Sequence, residues 1–313
     1  MSSRAALGPA ASAGTAFDLA AYLDAKRSRI EAAFESYLGS RLAVAPERLV
    51  ESIRYSLLAP GKRLRPVLTL AACEAVGGDE SEVLDAALAI EMVHTYSLIH
   101  DDLPCMDDDD LRRGRPTSHK VFGEAMAILA GDGLITEAFH LLASPPRSPR
   151  VSAATALEVV RDVSLAAGVS GMVGGQVTDM QSEGKRLDLT SLEGMHGMKT
   201  GSLIEVSLRA GARLGGGSRD EVEDLAAYGR ALGLAFQIAD DVLDVTASTE
   251  VLGKRTSKDH GRGKSTFPSL LGVDASRARA RELRDQARRH VARFADRGRP
   301  LAALADYVVD RER

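Results

Sequence analysis

Thirteen residues from Asp101 to Arg113, reading Asp-Asp-Leu-Pro-Cys-Met-Asp-Asp-Asp-Asp-Leu-Arg-Arg, hold six carboxylates followed by two guanidinium groups. Hard oxygen ligands beside planar bidentate donors are what a Mg²⁺-bridged diphosphate requires. An isolated acidic run is usually a solvated face. Here Met92, Val93, Leu98 and Ile99 run straight into Asp101, so the first carboxylates emerge from an apolar, core-forming segment. Acidic groups at a buried wall need neutralising cations, and metal ions are the natural ones.

A second acidic set lies far along the chain, in Phe236-Gln-Ile-Ala-Asp-Asp-Val-Leu-Asp244. On a helix Asp240, Asp241 and Asp244 fall at about 0°, 100° and 40°, within one arc, and Gln237 sits one turn earlier on that side. Three carboxylates on an otherwise apolar helix repel unless ions bridge them.

Cations accompany both sets. After the break at Pro60-Gly61, the residues Lys62, Arg63 and Arg65 stand at a predicted helix start, where a glycine lets the backbone approach a ligand. An anion site and a basic surface turn are both consistent with this stretch alone. His94 precedes Asp101 by seven residues, about two helical turns, so the two share a face. Pro104 disfavours continued helix, which leaves Asp107 free to fold back toward Asp101. Lys199-Thr200 is expected to open a helix and to offer a cation with a hydroxyl donor. Gln176 and Asp179 share a face, either as a polar patch over a substrate or as an exposed stripe. The glycine-rich cationic stretch 253–264 reads as a surface linker or as a lid over an anion.

The elements that must position these groups read as helices. The chain has 313 residues, no tryptophan and a net charge of −4, which argues against a nucleic-acid binder. Its two cysteines, Cys73 and Cys105, fit no metal pattern, and a reducing cytoplasm is the default. Residues 1–14 are rich in Ala, Ser and Gly and read as a disordered lead-in, with 15–313 as a single domain. No apolar run is expected to be long enough to span a bilayer. Helical periodicity covers 17–58, 66–99 and 120–143, and two charged amphipathic helices are expected from Ser276 onward. Pro145 and Pro146 lie in a break between helical flanks, read as a surface loop. Strand alternation, Gly-x-Gly-x-x-Gly and P-loop patterns are not found. The expected class is all-α, a helical bundle with the two acidic helix ends as facing walls.

Asp101-Asp-x-x-x-x-Asp107 with Arg112-Arg113, Asp240-Asp-x-x-Asp244 and Gly61-Lys-Arg-x-Arg65 together resemble the trans-isoprenyl diphosphate synthases, the polyprenyl synthetase family, over about Tyr55 to Gly272. The likeness is strongest to bacterial farnesyl and geranylgeranyl diphosphate synthases. It implies a bundle around a deep apolar cavity, a homodimer, and a Mg²⁺ cluster holding an allylic diphosphate. It also implies that Asp101, Asp102, Asp107, Asp240, Asp241 and Asp244 are metal ligands or their close support. Arg112, Lys199, Thr200, Gln237, Lys254 and Lys264 are implied contacts of the allylic diphosphate, with Lys258 in the same lid. Lys62, Arg65, His94 and Arg113 are implied contacts of isopentenyl diphosphate. The implied reaction is head-to-tail prenyl transfer to a dimethylallyl or geranyl diphosphate, with released diphosphate as proton acceptor.

Product length is read one turn before Asp101, at Tyr96 and Ser97, which would floor the cavity of a growing chain. Beside the two extra residues of the first motif, an aromatic at Tyr96 resembles the farnesyl, fifteen-carbon type. The geranylgeranyl, twenty-carbon type is the alternative, since Leu-Pro-Cys-Met-Asp is also at home there. A terpene cyclase would share the ionisation chemistry but needs no second diphosphate site. A helical metal phosphohydrolase would use the His100-Asp101 doublet and leave Arg112, Arg113 and the second aspartate set without a role.

Overall fold

A computed structural model of the chain describes residues 17–146, 149–250 and 265–310. The expected lead-in and the lid lysines Lys254, Lys258 and Lys264 lie outside the described residues.

Helix α1 (Leu19–Arg41) starts where the Asp18 carboxylate accepts from the Ala21 N–H, and it buries Ile30, Phe34 and Leu38, one residue per turn. Helix α2 (Glu47–Leu57) follows Pro46. Helix α3 (Leu64–Val76) ends at Gly77, whose φ of 85° is the left-handed geometry that closes a helix. Helix α4 (Leu84–Asp101) buries nearly all of its length from Ala86 to Ile99, which fits a central helix. Its C-terminal end carries the first acidic set.

A small departure from the all-helical expectation follows. Leu111–Arg112 (β1) and Arg115–Pro116 (β2) pair antiparallel, with Arg112 opposite Arg115. Arg113 and Gly114, both at positive φ, form the turn. Two residues per strand are too few for alternation to be legible in sequence. The helix expected over 120–143 is interrupted at Gly123 (φ 88°), giving α5 (Ser118–Phe122) and α6 (Glu124–Leu142). By length and composition α6 could cross a membrane, contrary to the expectation of no such run. It packs along α4 as a core helix, burying Ala127, Ala130, Leu134, Ala138 and Leu141.

Beyond the proline-containing loop come α7 (Ala153–Ala167), α8 (Met172–Gln181) and α9 (Leu189–His196). Next are α10 (Ser202–Leu214) and the long α11 (Arg219–Glu250). The chain closes with α12 (Phe267–Leu271), α13 (Val273–Val291) and α14 (Arg299–Asp310). Helix α10 packs on α3 and α11, and α11 packs on α13. A side chain at Gly211 of α10 would meet the Thr69 carbonyl of α3 at 2.0 Å, so this glycine lets two backbones touch. One buried apolar cluster runs from Ile30 of α1 to Val308 of α14, and a smaller one joins α9, α11, α12 and α13.

Candidate active site

The first acidic wall is built by the chain turning back on itself. Helix α4 stops at Asp101, and after Pro104 the Asp107 N–H donates to the Asp101 carbonyl at 2.8 Å. The Asp109 N–H then reaches the Asp102 carbonyl at 3.2 Å. This return places Asp107 close enough to raise the Asp101 carboxyl further. Burial is the larger cause, Lys199 opposes it, and the carboxyl is pushed up to about 6. A divalent cation beside such a group would favour its carboxylate form and lower it again.

Asp102 is already engaged by a cation of the chain itself, which suits the supporting role among those implied for it. It is buried, and both of its oxygens accept from Arg112, at 2.7 and 2.9 Å from Nε and 2.6 Å from Nη2. The hairpin β1–β2 turns the guanidinium inward, and a buried carboxylate with no cation beside it would be costly. Asp102 is therefore the strut that aims Arg112. Burial still raises its carboxyl, with Arg112 pulling the other way.

Lys199 and Thr200 do not open a helix as expected. They sit in a π-helical turn, Gly197–Gly201, between α9 and α10, where the wider winding re-aims side chains. Gly175 of α8 makes room, since a Cβ there would lie 2.2 Å from the Lys199 amide nitrogen. Lys199 Nζ pairs with buried Asp179 at 2.6 Å and is also the largest charge felt by Asp101. The Thr200 hydroxyl donates to Gln237 Oε1 on α11. The turn thus joins the two walls.

The second wall lies on α11. Asp240 and Asp241 are half-buried and Asp244 is exposed. Asp241 Oδ2 accepts from the Phe267 N–H at 2.8 Å, at the start of α12. Among the described residues, no three of His, Cys, Asp and Glu lie close enough together to hold a metal ion. The donor chemistry nonetheless suits Mg²⁺: the walls offer hard carboxylate oxygens, with Arg112 and Lys199 beside the first.

A small cleft of about 50 Å³ is lined by Tyr55, His94, Leu98, Arg112 and Arg113 among others. Burial and then Arg65, Arg113, Arg112 and Arg63 push the His94 imidazole well below its ordinary value, so it is neutral at pH 7. Arg65, lowered to about 10 mainly by burial, has a buried Nε without a hydrogen-bond partner. Two expectations need correction here. Gly61 makes room for the Arg113 guanidinium, which a Cβ would meet at 2.3 Å and which donates to the Pro60 carbonyl at 2.9 Å. Arg63 turns into the core and pairs with buried Glu91 at 3.2 Å. Lys62 is exposed, 5.7 Å from the ring centre of Tyr307.

Tyr96 is buried, its ring edge-on to His100 at 5.7 Å, and the Asp101 charge reaches its hydroxyl. The Ser97 hydroxyl donates to the His94 carbonyl at 2.9 Å. His100 itself leans on α6, with Nε2 at 3.1 Å from the Ile128 carbonyl and its ring against Gly131. That geometry removes His100 from the Asp101 ligand position and with it the phosphohydrolase reading. Glu91 and Asp179, neither given a catalytic or binding role from sequence, pair with Arg63 and Lys199. Glu91 was legible as a charge inside an apolar run, and Asp179 by its shared face with Gln176.

The two aspartate-bearing helices, Lys199 and the cationic cleft all lie within one all-α bundle. The polyprenyl synthetase family model matches residues 46–297, and the chain belongs to that family. It is 48% identical to the "heterodimeric geranylgeranyl pyrophosphate synthase large subunit 1, chloroplastic" of Arabidopsis thaliana, over 95% of this chain and 81% of that protein. A dimethylallyltranstransferase of Fischerella ambigua is 47% identical over 94% and 84%. Among solved structures, an FPP/GFPP synthase from Zymomonas mobilis superposes with a TM-score of 0.81 at 39% identity, covering 92% of this chain and 99% of that one. These relatives support prenyl chain elongation. Among the curated relatives, the names favour the twenty-carbon alternative over the fifteen-carbon product expected from Tyr96.

Proposed function

We propose that this chain, as one domain over 15–313, catalyses Mg²⁺-dependent head-to-tail condensation of isopentenyl diphosphate with allylic diphosphates, and that its main product is geranylgeranyl diphosphate. The observation that carries the reaction is the Asp101–Asp107 return beside Lys199, whose turn also reaches Gln237 next to Asp240 and Asp241. The product assignment rests on the names of the geranylgeranyl synthases that are about half identical to it.

Asp101 and Asp107 on one wall, and Asp240, Asp241 and Asp244 on the other, would hold the metal ions. Bound Mg²⁺ supplies Lewis-acid stabilisation of the charge that builds on the departing diphosphate. The chain's own cations add to that stabilisation. Arg112, aimed by Asp102, and Lys199, held by Asp179, are fixed before the substrate arrives. Thr200 and Gln237 orient the allylic end. Arg65, Arg113 and neutral His94 bind the second diphosphate, with exposed Lys62 at its rim. The packed seam of α4 and α6 keeps water from the allylic cation, which would otherwise be quenched to an alcohol. No side chain is assigned as base, and the released diphosphate takes the proton.

We further propose a homodimer in a cytoplasmic setting. Exposed apolar residues on α6 (Ile128, Leu129) and on α8 (Val173, Val177, Met180) are of the kind that two copies bury.

A second product reading has its own observation. Tyr96, buried one turn below Asp101, would stop a chain at fifteen carbons, giving farnesyl diphosphate. Incubating the wild-type protein with farnesyl diphosphate and labelled isopentenyl diphosphate separates the two. A twenty-carbon product supports the main reading, and failure to extend farnesyl diphosphate overturns it. Under the farnesyl reading Tyr96→Ala lengthens the product without loss of turnover, since it removes bulk and no ligand.

A further inference from the structure

His119 has no part in the chemistry described so far, yet it is a buried polar side chain beneath the acidic loop. Its Nδ1 lies 3.1 Å from Thr117 Oγ1, and Thr117 Oγ1 lies 2.7 Å from the Asp109 carbonyl oxygen. A carbonyl can only accept, so the single hydroxyl proton of Thr117 goes to Asp109, the shorter contact. Thr117 must then accept from the imidazole, which fixes the proton on Nδ1. His119 Nε2 is buried and has no partner. A phenylalanine would fill the same volume without an unmet acceptor, so the useful part of the ring is the Nδ1 proton.

The base of this relay is firm. Ser118 Oγ lies 3.2 Å from Ser52 Oγ, both buried, which ties α5 to α2. The Thr117 N–H donates to the Asp110 carbonyl at 3.0 Å, and the Asp109 N–H donates to the Asp102 carbonyl. Between these anchors lies the segment that carries Arg112 and returns Asp107 to Asp101.

We infer that His119 is a positioning residue: through Thr117 it holds the Asp109 carbonyl, and so sets the path of the loop that presents Asp107 and Arg112. It acts through the loop and touches neither substrate nor metal. Ligand-supporting contacts of this kind are worth about 10- to 100-fold in metal affinity. The inference rests on the prenyl-transfer reading only for its kinetic arm.

Two measurements use the metal-free full-length protein. Imidazole ¹⁵N chemical shifts are expected to report the Nδ1–H tautomer for the neutral His119 ring. Amide exchange at Asp109 is expected to speed up in His119→Phe and Thr117→Val, and to change no further in the double variant, because both cut one relay. The kinetic arm compares His119→Asn, whose amide can reproduce the Nδ1 donor, with His119→Gln, whose amide falls at the Nε2 place. The Mg²⁺ concentration for half-maximal rate should rise about 10-fold in His119→Gln and His119→Phe, and stay within about 3-fold of wild type in His119→Asn. A proton on Nε2, or additive exchange effects in the double variant, would overturn the relay whatever the enzyme makes. Should His119→Phe not fold, the isosteric Thr117→Val carries the exchange test alone, and wild-type protection at Asp109 in that variant overturns it.

Discussion

The two acidic walls are built in opposite ways. The wall at the end of α4 is braced by its own loop: Asp107 bonds back to Asp101, Asp109 to Asp102, and Asp102 holds Arg112 with both oxygens. The wall on α11 is a single helix face, tied to its surroundings by Gln237 to Thr200 and by Asp241 to the first turn of α12. The first wall therefore carries a preformed cation and a carboxyl whose proton affinity is raised by burial. The second offers carboxylates on a rigid rod. Charge on a departing diphosphate is best met by groups fixed in advance, and the first wall fixes Arg112 through Asp102.

The largest expected effect removes a carboxylate from either wall. Asp101→Ala and Asp240→Ala should each lower kcat by about 10²- to 10³-fold, with helical circular dichroism unchanged. Near-normal turnover in one of them at saturating Mg²⁺ would show that its wall holds no metal.

The next effect separates the walls by stability. Asp102→Ala strands a partly buried guanidinium and should cost about 2 kcal/mol in urea unfolding. Asp102→Ala with Arg112→Ala should cost less than the two singles combined, as a coupled pair demands. On the α11 wall, Gln237→Ala loses the single hydrogen bond from Thr200 and should cost about 1 kcal/mol.

A smaller effect is set by pH. The Asp101 carboxyl is raised in the folded protein, so the fold binds a proton that the unfolded chain has released between its ordinary value and about 6. Metal-free stability owed to this group is full below pH 3.8 and is lost as pH rises through about 6. Asp101→Asn should then stabilise the metal-free protein by about 1–2 kcal/mol at pH 7 and by nothing near pH 4. An equal gain at both pH values would assign the effect to packing.

The same contrast explains what the sequence could reveal. The face shared by Asp240, Asp241 and Asp244 follows from helical spacing alone, because a rod carries its pattern openly. The return of Asp107 to Asp101 was legible as a freedom granted by Pro104. Asp102 was not separable from its neighbour, since adjacent residues on a helix end differ only in what the fold brings beside them, here an inward-turned Arg112. The hairpin was hidden by its two-residue strands, and the π-turn at Lys199 by a sequence that continues helically on both sides. Arg63 and Arg65 read alike as cations, and what tells them apart is the ion pair that Arg63 makes with Glu91.

If both walls serve one condensation, neither can be lost without losing the product. The decisive experiment incubates the purified protein with Mg²⁺, geranyl diphosphate and labelled isopentenyl diphosphate, with a chelator control. The expected result is a labelled, chain-extended prenyl diphosphate that disappears with chelation and in both Asp101→Ala and Asp240→Ala. No extended product from the folded wild-type protein, or product that survives loss of either wall, would contradict it.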